Sequence, residues 1–238
     1  MQLSELSQWL GVLKFAAGAV TAIVGAVLSR KWPHMLLWKL SPMAPATICL
    51  ATSARINTGK YVRPTTGIGQ VQALALVVPS VLRGYGVGSR PKVVFSDQVS
   101  PDLLKRDLIL LGGAKNNEYT RRIFEEYSQC TAFEFIKDMN TFAFEGEEYT
   151  GVTRGGRVVE DWAIIMRVPN PYSEGATQVT VLAGVHTHGV AAAAEYYVTR
   201  MINWNSILRR HFICLVKVEV VGSETIRPRL FKMKKVKP

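Results

Sequence analysis

Short, continuous apolar runs set between helical stretches constrain this chain more than any other feature. ATICLA at 46–51, KVVF at 92–95, DLILL at 107–111, WAIIMRV at 162–168 and VTVLAGV at 179–185 are four to seven residues long. A strand with one wet face alternates apolar and polar residues, whereas a strand apolar throughout is covered on both faces. Between these runs, 67–83, 117–128 and 187–203 read as helices. Pro79 is expected to kink or end the first. The second carries Tyr119, Ile123, Phe124 and Tyr127 on one face, with Asn116 or Asn117 as its cap and Glu118 in its first turn. Ala191 to Ala194 let the third pack closely on a sheet. Short strands at 133–136 and 141–144 and a final hairpin over 212–221 and 226–233, turning at Gly222-Ser223, complete the order. Buried runs alternating with helices predict an α/β fold with a mostly parallel sheet, helices on both faces and an antiparallel hairpin at the C-terminal edge, where the 140–165 region would add further antiparallel strands.

Ahead of this lies a different kind of segment. Trp9 to Ser29 is apolar or small throughout except for Lys14, and Arg30, Lys31 and Trp32 come directly after it. A bilayer core of about 30 Å needs roughly 20 helical residues, so 9–29 predicts an N-terminal transmembrane helix. Lys14 sits near the end, where its stem reaches the interface. A cleaved signal peptide would carry its positive charge before the apolar run, and here the charge comes after. Arg30, Lys31 and Lys39 on the C-terminal side predict that the rest faces the cytoplasm. Gly11, Gly18, Ala22 and Gly25 bring small residues to one side of the span, which would let two copies approach. The expected organisation is an anchor over 1–32, a linker over 33–45 and one domain over 46–238 ending in a basic tail.

Composition agrees with one domain. The chain has 238 residues, 48% of them hydrophobic and 20% charged, enough for a sizeable core. Cys49, Cys130 and Cys214 cannot all pair; the first and last lie in apolar runs and read as inert core thiols. The net charge of +11 owes much to Arg227, Arg229, Lys232, Lys234, Lys235 and Lys237. Such a segment could bind nucleic acid. Beside a membrane, contact with anionic lipid is the simpler expectation, at about 1 kcal/mol per basic residue.

In an open α/β sheet, ligands bind beyond the carboxyl ends of the strands. The residues just after each apolar run are suggestive: Thr52-Ser53, then RPTTGIGQ at 63–70; Ser96-Asp97; Gly112 to Asn117; Pro169-Asn170-Pro171; and Gly184-Val185-His186-Thr187-His188. Candidate ligand-binding residues are Thr52, Ser53, Thr66, Gly67, Gly69, Gly112, Gly113, Asn116, Asn117, Arg121 and Thr187. The glycines allow close backbone approach, and helix starts attract anions. His186 and His188 are the candidate catalytic pair, should the protein be an enzyme. They form no evident metal site, since a third ligand is missing and Asp97 is only a candidate. Glycine at such turns is also ordinary turn chemistry. Gly67-Ile68-Gly69 lacks the third glycine of a dinucleotide fingerprint, because Gln72 stands there. Thr58-Gly59-Lys60-Tyr61 matches a phosphate loop only in Gly-Lys. Glu145, Glu147 and Glu148 read as a solvated hairpin. No G-x-S-x-G elbow, H-E-x-x-H helix or CxxC pair occurs.

In element order the domain resembles the broad Rossmann-like class, which includes nucleotide-processing and nucleotide-sensing domains. That resemblance implies a nucleotide-type or other anionic small ligand, though fold alone does not assign function. The leading expectation is a membrane-anchored cytoplasmic sensor or signalling module that self-associates through its anchor. A hydrolase or glycosyl transferase acting on such a ligand, and a structural subunit of a membrane complex, remain open. No cofactor is identifiable.

Overall fold

The structure is a computed structural model that describes residues 25, 26, 29–41, 44–204 and 210–237. It opens with helical residues 25 and 26 and then a helix, α1, described over 29–38. Strands β1 (Thr47–Leu50), β2 (Ala54–Asn57) and β3 (Val62–Thr65) lead to helix α2 (Ile68–Tyr85). Then come β4 (Lys92–Phe95), the short helix α3 (Pro101–Leu104) and β5 (Leu108–Leu111). Helix α4 (Glu118–Glu126) and the single turn α5 (Ser128–Thr131) precede β6 (Phe133–Ile136), β7 (Thr141–Phe144), β8 (Glu147–Thr150) and β9 (Val152–Arg154). The long strand β10 (Arg157–Pro169) and β11 (Gln178–Gly184) are followed by α6 (Thr187–Thr199), β12 (Phe212–Val221) and β13 (Glu224–Lys235).

The main sheet runs β13-β12-β10-β11-β5-β1-β4, with β9 also paired to β10. It is mixed, not mostly parallel. β4, β1, β5 and β11 run parallel. The pairings of β10 with β11, β12 and β9, and of β12 with β13, are antiparallel. The reason is the connection. β10 turns back into β11 through residues 170–177, and so short a link joins antiparallel neighbours, whereas parallel ones need a longer crossover. The apolar run 162–168 reflects cover on both faces of β10, and cover is indifferent to strand direction. The start of that turn is fixed by Asn170, whose Nδ2 donates to the carbonyls of Leu104 and Arg106 at 2.7 Å each.

The cover itself also differs from helices on both faces. On one face α2 and α6, with Leu37 and Trp38 of α1, bury Ile48, Leu50, Ile109, Leu111, Ala163, Ile165 and Leu182. On the other, α4 shares the work with a three-stranded antiparallel sheet, β6-β7-β8. There Cys49, Leu108, Leu110, Ile164 and Met166 meet Phe124, Phe133, Phe142 and Phe144. The odd–even split along each strand is the two-residue period of β structure seen from both sides. α2 continues through Pro79 to Tyr85.

The expected membrane-crossing helix is not found. Among the described residues no helix is long and apolar enough to cross a membrane. The span expected over 9–29, and with it the small-residue face of Gly11, Gly18 and Ala22, lies outside the described residues except for Gly25, Ala26 and Ser29.

Candidate functional site

Four parallel strands end on one rim, and the chain leaves them in two directions. β1 leads by way of the β2–β3 hairpin to α2, and β11 leads to α6, both on the face of Ile48 and Leu50. β5, which lies between β1 and β11, leads to α4 on the opposite face. Neighbouring loops that part to opposite faces open a crevice at the strand ends, the usual binding place of open α/β sheets. Two adjoining clefts occupy it. The outer, of about 600 Å³, is lined by Thr52, Asp97, Lys115, Asn116, Arg121 and Asp138 among others. The inner, of about 230 Å³, is lined by Ser53, Gly67, Gln70, Gly113, His186 and Thr187 among others. Lys115, Asn116 and Met139 border both.

The structure therefore gathers Thr52, Asn116 and Arg121 in the outer cleft and Ser53, Gly67, Gly113, Asn116, His186 and Thr187 in the inner one. Other candidates hold the rim together. Asn117 is fully buried; its Oδ1 accepts from the N–H groups of Tyr119 and Thr120, and its Nδ2 donates to the Cys49 carbonyl. Gly112 has φ 116°, donates to the Leu182 carbonyl at 3.0 Å, and accepts from the Thr120 hydroxyl. A Cβ there would stand 2.5 Å from that of Ala51. Gly69 lets α2 touch α6: a Cβ would lie 1.8 Å from the Thr187 carbonyl oxygen. The Gly69 N–H donates to the Thr187 hydroxyl at 2.9 Å. Thr66 Oγ1 and His188 Nδ1 are buried with no hydrogen-bond partner, and neither residue lines the two clefts. Pro169-Asn170-Pro171 is at the far end of the sheet, because β10 runs against the parallel strands.

Sequence reasoning missed the residue that organises the rim, Asp161. It stands at the start of β10's apolar run and is fully buried. Its carboxylate accepts from the backbone N–H groups of Trp162 at 2.9 Å, His186 at 3.1 Å and Gly189 at 2.5 Å. Burial pushes its pKa up, against the pull of His186 and of the three N–H donors. Asp161 thus caps α6 from another strand. Some of the first-turn N–H groups expected to attract anions are engaged by the protein at all three helices: Gly189 by Asp161 at α6, Tyr119 and Thr120 by Asn117 at α4, and Gly69 by Thr187 at α2.

Charge in the crevice comes from side chains instead. Lys115 and Arg121 bring two cations, set among the carboxylates of Asp97, Glu118 and Asp138; Glu118 pairs with Arg122, Arg121 lies 3.9 Å from Glu125, and Lys115 Nζ reaches Asn140 Oδ1 at 3.4 Å. Asp97 is held by Arg55 at 2.7 Å and by the Thr52 hydroxyl at 3.1 Å. Gln70, only 6% exposed, lines the inner cleft with its Oε1 unpartnered. The edge of the His186 imidazole lies against Gly151, where a Cβ would come 2.7 Å from Nε2. Asp161 bonds to the His186 main chain, so the two form no side-chain dyad of the kind that activates a nucleophile. Among the described residues no three or more His, Cys, Asp or Glu side chains are grouped to hold a metal ion.

The remaining signals resolve into structure. Thr58-Gly59-Lys60-Tyr61 is the tip of the exposed β2–β3 hairpin, where the Asn57 side chain accepts from the Gly59 N–H. Glu147 and Glu148 pair with Lys232 and Lys137 on the surface. Burial pushes the Cys49 thiol up to about 12 and that of Cys214 higher still, so neither supplies a thiolate near neutral pH. Comparison with known proteins finds no matching family model and no similar curated sequence.

Proposed function

We propose that the protein binds a small anionic ligand of nucleotide or sugar-phosphate type in the crevice beyond β1 and β5, and acts as a binding or sensing module. The observation that carries this is the parting of the β5–α4 loop from its two neighbours, which places Lys115 and Asn116 between two adjoining clefts. With those backbone donors engaged, Lys115 and Arg121 would meet the anionic group. Thr52, Ser96 and Asp97 offer hydroxyl and carboxylate partners to a sugar. The unpartnered Gln70 Oε1 calls for a donor from the ligand, since a buried acceptor without one is costly. A hydrolase or transferase would use the same crevice, with His186 at the inner cleft as base. Turnover lost in His186→Ala with binding retained would select that reading.

The test is a thermal-shift screen of mononucleotides and sugar phosphates at millimolar concentration. A ligand at 100 times its Kd stabilises by about 2.7 kcal/mol. The expected result is a rise in Tm for wild type that Lys115→Ala and Arg121→Ala reduce. No rise for any compound in the screen counts against the proposal.

A further inference from the structure

A second cationic site lies at the other end of α2. From residue 6 to residue 96 the chain has ten basic residues and not one Asp or Glu. The folded chain collects part of that charge in a concavity of about 430 Å³, lined by Arg30, Lys31 and His34 of α1 and Arg83 of α2. α2 and α1 are held together there by close contact: a Cβ on Gly84 would lie 3.2 Å from the His34 backbone. Trp38 Nε1 donates to Ser80 Oγ at 2.8 Å, and Ser80 Oγ lies 2.9 Å from His34 Nδ1. Ser80 is buried, so its own hydrogen is best satisfied by donation to Nδ1, which fixes the imidazole in the concavity. Burial, and then the nearby Arg83 charge, hold the His34 pKa below its usual value. Among the described residues Arg30, Lys31 and Arg83 have no carboxylate partner. Trp32, 54% exposed, stands beside them.

Three cations brought together with no counter-charge repel one another, and a bound anion removes that cost. A tetrahedral oxyanion suits them, because guanidinium groups meet phosphate oxygens in pairs. We infer that Arg30, Lys31 and Arg83, with His34, form a binding site for a phosphate ester group. Arg83 lies about 24 Å along α2 from the strand-end crevice, so the two sites are independent. A lipid headgroup and a soluble phosphate present the same chemistry, and the experiment separates them.

Full-length protein is assayed in two arms. In the first, Tm is followed in inorganic phosphate against chloride of equal ionic strength. In the second, partition is compared between vesicles of phosphatidylcholine alone and vesicles that also contain phosphatidylglycerol, so that any apolar insertion cancels in the ratio. A soluble phosphate site predicts a Tm rise that Arg83→Gln abolishes. A headgroup site predicts a preference for the anionic vesicles that falls about fivefold in Arg83→Gln and further in Arg30→Gln plus Lys31→Gln. Arg83→Lys keeps the charge but loses the paired donors, so it should fall between wild type and Arg83→Gln in either arm. Arg157→Gln, exposed at the start of β10, should change neither. If wild type and the charge-removing variants match in both arms, no such site exists.

Discussion

Asp161 takes the place at α6 that an anionic ligand would otherwise seek. Its carboxylate collects three backbone N–H groups. Asp161→Ala should therefore cost on the order of 3 kcal/mol, read by denaturant unfolding, because the donors stay buried and unpaired. Its pH behaviour comes from the raised pKa. The folded state holds the proton more tightly than the unfolded chain, so this stability is full below the unfolded value and is lost as pH rises through the folded one. Asp161→Asn, which cannot ionise, should show less loss of stability than wild type as pH rises above the ordinary carboxylate range. Gln70 makes the opposite case. Its Oε1 is buried and unpartnered, so Gln70→Leu should leave stability unchanged or raise it by about 1 kcal/mol. The same change should reduce the Tm rise given by the crevice ligand. A drop in stability with the ligand shift intact would mean that Gln70 serves the fold.

At the scale of elements, the sequence shows where strands are but not which way they run. ATICLA, DLILL, WAIIMRV and VTVLAGV all lie within or across strands of one sheet, yet one of them is antiparallel to the rest. Apolar runs record burial on both faces, and the 170–177 turn that reverses β10 looks like any polar loop. The same limit explains the site. Turn residues after β1, β5 and β11 were visible as polar or glycine-rich breaks, and they do line the rim. Asp161 was not, because its link to Gly189 spans 28 residues. The roles of the glycines were also hidden: Gly69 looks like part of a ligand loop but is where two helices meet. Gly69→Ala would force a methyl group into the Thr187 carbonyl. It should destabilise the protein by about 3 kcal/mol or unfold it, measured by thermal melting, as overpacking of a fixed backbone contact does. A mild change in Tm would show that α2 and α6 can slide apart.

For the whole molecule, the end of α1 and the residues just beyond it decide how the chain's start is joined to the sheet. Leu37 and Trp38 are fully buried in the core beneath α2 and α6. Trp38 stacks edge-on against Tyr197 at 5.0 Å and donates to Ser80. The Leu37 carbonyl accepts from the Tyr197 hydroxyl at 2.5 Å and from the buried Arg167 at 2.9 Å. Asp107 then holds Ser41 with one carboxylate oxygen and Gln178 with the other, at 2.6 and 2.7 Å. α2, α6, β10 and the residue before β5 each contribute a grip on 37–41, so the end of α1 moves with the sheet. Trp38→Ala opens a cavity under α1 and leaves Ser80 with one partner fewer. It should cost about 3–5 kcal/mol. Because α1 and α2 jointly form the cationic concavity, the same variant should lose the phosphate response while the crevice ligand still raises Tm. Limited proteolysis should then cut first within 29–45, where wild type resists. Uniform cleavage through the β-sheet instead would mean that this contact supports the entire fold and not the seating of α1 alone.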